Sequence, residues 1–488
     1  MAMRRSVGML LGAAALAVAA MAAEAAQPRA PAGQTRAAAP GAARPAAVKK
    51  VRGTGSYAVV VSADTYADRA WLGVVQALQK KHNAWVIVYA GGVADTRAAL
   101  AEVAPRYACF VARPEEAGGA FVMAVHRLTR ALDDDPYTDC LWGILTGYEA
   151  ADALRIAEMK EPLVVRRGAA GTGINLGLFD EGVWYDEGAK GVYWEKKPGG
   201  TPEKKTCPDD TTQALADVFN TFKPDLFMTS GHATTRDWQI GYNYKNGQFR
   251  CEGGQLYGLD LAGKRWPIQS PNPKVYLPLG NCLMGLIPDR DAMALAFMRS
   301  GGVRQMVGYT VPTWYGFGGW GIGDYFMDQA GRFTLAEAFF ANAQALVWML
   351  QTRFPKTANL EFVQAEEIAP KHGIRDKDEH GLLWDRDTVA FYGDPAWDAR
   401  LAPRAKAWEQ SLTENAGVYT FEVTPNRDIL PGRPPVALLP ERVRNVEIVE
   451  GKDLAPVVTE NFILLPNTQK WEAGKTYRVV FKATKVTP

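Results

Sequence analysis

The feature that most constrains this chain is a regular exchange, from Ser56 onward, of short apolar runs with amphipathic stretches. Tyr57-Ala58-Val59-Val60-Val61 is a continuous apolar run of strand length. Asp68–Lys81 follows with Trp71, Val74, Val75 and Leu78 on one helical face. Trp85–Tyr89, Tyr107–Val111 and Trp142–Thr146 repeat the strand signal. Thr96–Val103, Ala117–Leu132 and Ala150–Met159 repeat the helix signal. Strands whose residues are nearly all apolar are buried on both faces, and strands alternating with helices imply a parallel sheet. The expected fold class is therefore α/β.

The rhythm loosens over residues 166–206, which are rich in Gly, charge and aromatics and look like an excursion from the sheet. It resumes with a helix near Thr211–Phe222. Gly241–Ile268 reads as hairpin material, with Asn246-Gly247 as its turn signal. Further on come a helix over Ala292–Arg299, a strand over Val303–Tyr309 and a long helix over Phe333–Gln351. Thr310–Gly323 is a Gly- and aromatic-rich loop. From Ala402 the pattern turns to β: Val418–Val423 alternates, and Val446–Val449, Phe462–Leu465 and Thr476–Phe481 are further strands. Residues 402–488 suit a small β-sandwich.

The ends of the chain bear on location. Arg4 and Arg5, the apolar run Val7–Ala22 and the small residues Ala23-Glu24-Ala25 make residues 1–25 a signal peptide. Residues 26–55 read as an Ala/Pro-rich disordered linker. The protein is expected to be exported, to the periplasm, the envelope or the medium. No other stretch is long and apolar enough to span a bilayer. The net charge of +2 gives no case for nucleic acid. Of the five cysteines, Cys109 and Cys140 lie in apolar runs, Cys207 and Cys251 are candidates to pair, and Cys282 is left over. No spacing marks a zinc site, and no cofactor is expected.

Two segments carry chemistry. Asp225-Leu226-Phe227-Met228-Thr229-Ser230-Gly231-His232 and Lys274-Val275-Tyr276-Leu277-Pro278-Leu279-Gly280-Asn281-Cys282 are each a buried strand that ends at a glycine and then presents a reactive side chain. In parallel α/β sheets functional groups collect at the carboxyl ends of strands. A lone cysteine after a strand is usually a small buried hydrophobe. A cysteine and a histidine at two such ends are also what thiol catalysis needs. The imidazole takes the thiol proton, and the thiolate is the nucleophile. Backbone N–H groups of Cys282 and Ala233 are the candidate oxyanion donors.

These segments resemble the gingipain-type cysteine peptidases of the caspase-like clan. Phe227–His232 is similar to that family's histidine strand, and Leu277–Gly285 to its nucleophile strand. Ala294–Val303, Val307–Thr310 and Trp314 resemble the helix, strand and aromatic loop that follow. Ala390–Ala396 resembles its closing Gly-Asp-Pro signature, and Asp133–Tyr137 with Gly143–Ala153 its N-terminal half. The resemblance spans residues 56–401, in halves of about 56–165 and 207–401. It implies a caspase-like sheet flanked by helices, with a small immunoglobulin-like domain following. It also implies cysteine endopeptidase activity on peptide or protein substrates through a thioester, with His232 as acid/base and Cys282 as nucleophile. Trp314 is then expected either to line the substrate cleft or to pack in the core, and Asp133-Asp134-Asp135 to be a solvated helix terminus, with structural calcium as the lesser alternative. The sequence departs from the family in having Ala233, not Gly, after the histidine. The rival expectation is an inactive caspase-like binding module. An acyl transferase using the same dyad is a further alternative.

Overall fold

The computed structural model describes residues 48–51, 53–360 and 376–486. The signal segment and most of the linker fall outside the described residues. The end of the linker does not: Lys49–Val51 adds an antiparallel edge strand beside Trp85–Tyr89.

Local sequence accounts for most elements. The Arg69–His82 helix starts where Asp68 accepts from the Ala70 and Trp71 N–H groups. Such a cap contributes about 1 kcal/mol. Trp71, Val74, Val75 and Leu78 form its buried stripe, and the helix stops at Asn83 in the left-handed region. The strands that follow each helix enter one sheet. Among the described residues that sheet has thirteen strands. Tyr57–Ser62, Trp85–Tyr89, Tyr107–Val111 and Leu141–Leu145 are mutually parallel on one side. On the other side Val303–Tyr309, Lys274–Pro278, Leu226–Thr229, Arg167–Ala170 and Glu181–Tyr185 run parallel in that order. Val389–Tyr392 lies between the two groups, antiparallel to Val303–Tyr309. The expected α/β class, a large and mostly parallel sheet flanked by helices, is the architecture observed.

Three expectations need correction. Residues 166–206 do not leave the sheet; they extend it. Arg167–Ala170 pairs with the Leu226–Thr229 strand, and Glu181–Tyr185, Val192–Lys196 and Glu203–Thr206 follow outward. The aromatics there are cross-strand pairs, Trp184 on Trp194 and Tyr185 on Tyr193. The hairpin turn is Gly253-Gly254, both at positive φ, between Gln248–Glu252 and Gln255–Leu259. Asn246 instead accepts from Thr211 N–H and donates to its hydroxyl. The segment Thr310–Gly323 is only partly loop, because Phe317–Asp328 is helical. Glycines disfavour a helix by about 1 kcal/mol each. Here they permit contact: a Cβ on Gly319 would fall 2.1 Å from the Leu279 carbonyl oxygen.

After Leu401 the chain forms two antiparallel sheets. One pairs Trp408–Asn415, Val418–Pro425, Tyr477–Lys485 and Val443–Glu450; the other pairs Val436–Leu438, Phe462–Leu464 and Val457–Val458. Phe421, Val479 and Phe481 from the first meet Ala437 and Ile463 from the second in their own core. This part packs on the α/β part through Arg442, Asn461 and Arg106, which donate to carbonyls of Pro105, Asp139 and Leu439 respectively. The described residues form one compact unit. No helix among the described residues is long and apolar enough to cross a membrane.

Candidate active site

The histidine and cysteine strands, Leu226–Thr229 and Lys274–Pro278, are direct parallel neighbours, with Thr229 opposite Pro278. Both are buried along their whole length. Both chains leave the sheet at the same edge, and Gly231 there adopts φ 86°. The two exits are bonded to each other. Asn281, fully buried, donates from its side chain to the Gly231 carbonyl at 3.0 Å and accepts from the Thr229 hydroxyl. The residue before Cys282 thus holds the residue before His232.

Cys282 is half-buried. Its sulfur accepts the Thr313 N–H at 3.2 Å, and the Thr313 hydroxyl donates to the Asn281 carbonyl at 3.0 Å. Burial pushes the thiol above its ordinary pKa, and the Thr313 N–H pulls the other way without cancelling it. The resting group is a neutral thiol that needs a base. Leu283, the next residue, sits at φ 58°. That region is strained for a branched side chain, and such strain collects at functional sites.

His232 is exposed, and its ring stacks on Tyr242 with 4.9 Å between centroids. Among the described residues no hydrogen bond joins His232 to Cys282. Neither the Ala233 nor the Cys282 N–H has an acceptor there. Ala233 is not among the residues at positive φ, so it carries no backbone strain in place of glycine. Trp314 packs on His380, Trp384 and Tyr315, with centroids 5.0, 6.3 and 5.7 Å away.

Three site residues were not singled out from sequence. Glu187 leads Tyr242 to the site, accepting its N–H at 2.6 Å through the main chain. One carboxylate oxygen of Glu187 accepts from Thr172; the other is buried without a partner, 3.8 Å from where a Gly231 Cβ would stand. Burial, with Asp186 adding to it, pushes Glu187 up to about 7, against the Thr172 hydrogen bond. Thr313 is the second, and Trp320, whose ring lies 3.4 Å from a Cβ position on Gly280, is the third. Glu187 follows the Glu181–Tyr185 strand, Thr313 follows Val303–Tyr309 and Trp320 stands on the Phe317–Asp328 helix, so no single spacing in the chain marks them.

All five cysteines are free, so Cys207 and Cys251 are not paired. The Cys251 thiol donates to the Asp291 carbonyl at 3.0 Å. The Asp133 carboxylate meets those of Asp139 and Glu460, with all three within 4.8 Å. Arg442 already pairs with Glu460 at 2.9 Å.

The molecule is thus a mixed α/β protein that brings a cysteine and a histidine to adjacent strand ends of one sheet. No protein-family model matches the chain, and no curated protein does. Solved structures that align with it include two at 10% identity, a TM-score of 0.42 and 88% coverage of this chain. One is the Arg-specific cysteine proteinase gingipain R, covered over 98% of its length. The other is the complex of Porphyromonas gingivalis RgpB pro- and mature domains, covered over 100%. Similarity of that degree assigns no residue roles, which are argued from this site alone.

Proposed function

We propose that the protein is an exported cysteine endopeptidase. The observation that carries this reading is the Asn281–Gly231 hydrogen bond, which locks the turn before the cysteine to the turn before the histidine. In the proposed reaction His232 accepts the Cys282 proton and the thiolate attacks the peptide carbonyl. The Ala233 and Cys282 N–H groups receive the oxyanion. The C–N bond breaks as His232 returns the proton to the leaving amine, giving a thioester. Water, deprotonated by His232, then hydrolyses the thioester. The unpartnered oxygen of Glu187 lies beside Gly231, the residue before His232. Trp314 and Trp320 flank the Thr313 loop as candidate walls of the cleft.

Cleavage of a mixed-sequence peptide library tests this. Cys282→Ala should lower kcat/KM by at least about a thousandfold with the fold retained, as expected for a nucleophile. Unchanged turnover removes Cys282 from the role. A second reading, an inactive binding module, is favoured by the neutral resting thiol and the open His232–Cys282 contact. It predicts that Cys282 alkylates no faster than an ordinary thiol and that His232→Ala leaves the rate unchanged.

A further inference from the structure

Asp385, on the Lys377–Arg386 helix, is 2% exposed. One of its oxygens accepts from the Gly318 N–H at 2.8 Å and from the Tyr309 hydroxyl at 3.0 Å. The Tyr309 oxygen in turn accepts the Gly319 N–H at 2.9 Å. These N–H groups open the Phe317–Asp328 helix, whose own N-cap, Gly316, has no side chain to offer. A carboxylate at that end satisfies orphan donors and suits the helix dipole. Asp385 therefore caps this helix from another element.

The capped turn rests on the cysteine loop. Gly319 touches the Leu279 carbonyl and Trp320 covers Gly280. The stretch leading into the turn holds Cys282 itself. Thr313 N–H meets the sulfur, the Thr313 hydroxyl meets Asn281, and the Val311 carbonyl accepts from Leu283 at 3.2 Å. Only Thr313–Gly318 separates the thiol's donor from the carboxylate's. The second oxygen of Asp385 has no partner among the described residues. The residue borders a cavity of about 20 Å³ lined also by His126, Arg130, Asn342 and Arg386. The cavity has room for one water.

We propose that Asp385 is a positioning residue for Cys282. Ionised, it holds the first turn of the Phe317–Asp328 helix, and through it the Thr313 N–H, against the sulfur; on taking a proton it relaxes that hold. Burial raises this carboxyl to about 7, against the Gly318 and Tyr309 hydrogen bonds and the Arg433 charge, so the change falls near neutrality. The charged and titratable groups around it are Tyr309 on its strand, Tyr315 before the capped helix, Arg433 stacked on Phe317 and paired with Asp324, and His126 and Arg130. Arg386 on its own helix completes the set and, like Arg130, is paired with Asp387.

The inference rests on Cys282 being the reactive thiol, and its test is read by alkylation whether or not a peptide is cleaved. The full chain is treated with iodoacetamide across pH, and modification is followed on the Cys282 peptide by mass spectrometry. Each group that must lose a proton adds one to the slope of log rate against pH. In D385N, the neutral counterpart of the protonated carboxyl, the limiting slope below about pH 7 should fall by one relative to the natural protein, because asparagine has no proton to lose. D385A should slow labelling about tenfold at neutral pH, with Y309F, a milder loss of the same contact, between the two. An unchanged slope in D385N, or faster labelling in Y309F, overturns the proposal. Loss of the slope difference with peptide cleavage intact removes this inference alone; absence of cleavage with the slope difference present removes the peptidase reading alone.

Discussion

Two buried carboxyls at opposite ends of the sheet, Asp394 and Glu187, are treated in opposite ways. Val389–Tyr392 runs antiparallel to Val303–Tyr309, so Asp394 lands at the amino end of that strand and its parallel neighbours. There Asp394 is fully buried, with every contact made: Tyr57 hydroxyl at 2.7 Å, Lys81 and His82 each at 2.9 Å, and the Ala396 N–H at 3.0 Å. At the carboxyl end, among the described residues, Glu187 keeps an unpartnered oxygen and the N–H groups of Cys282 and Ala233 have no acceptor. Burial alone would raise Asp394, but the His82 and Lys81 contacts outweigh it and hold the carboxyl well below the usual carboxylate range. Burial wins at Glu187. Paired charge stabilises the fold at Asp394, whereas one oxygen of Glu187 has no partner among the described residues.

The largest effect expected from this contrast is on stability. Asp394→Ala leaves Lys81, His82 and the Tyr57 hydroxyl without their acceptor and should cost about 3–5 kcal/mol in denaturant unfolding. Cys282→Ala should cost under about 1 kcal/mol, in line with a small truncation at a half-buried site. Equal losses would erase the distinction between the two ends. The next effect is on acid stability. Asp394 has a depressed folded pKa, so its contribution is present above the usual carboxylate range and is lost as pH falls through the folded value. Asp394→Asn should flatten the acid limb of a plot of melting temperature against pH; a parallel limb would place the acid sensitivity elsewhere. The smallest effect is at Glu187. Its raised folded pKa costs stability as pH climbs from about 4.5 to about 7. Glu187→Gln should match the natural protein near pH 4 and be more stable, by up to about 3 kcal/mol, near pH 8. A variant less stable at both values would make Glu187 a structural contact.

Much of the α/β part was legible because its strands are short, fully apolar runs between helices with clear stripes, as at Trp71, Val74, Val75 and Leu78. The β character after Ala402 was legible from alternation. Where glycine and aromatics mix, the local signal misled. The Gly-rich stretch after Thr310 is helical because Gly319 and Gly321 must touch Leu279 and Asn342, a demand made by neighbours distant in sequence. Residues 166–206 belong to the sheet because the free edge of Leu226–Thr229 accepts Arg167–Ala170. Periodicity could not announce either event.

The sequence alone determined that two buried strands would end in a histidine and a cysteine, since a run of apolar residues closing on glycine carries that outcome locally. Tertiary structure decided what surrounds them. Asn281 binds Gly231, Thr313 meets the sulfur, Glu187 stands beside the histidine turn and Asp385 caps a helix that presses on the cysteine loop. Those contacts join residues far apart in the chain, and only the closing of the sheet brings their atoms within hydrogen-bonding reach.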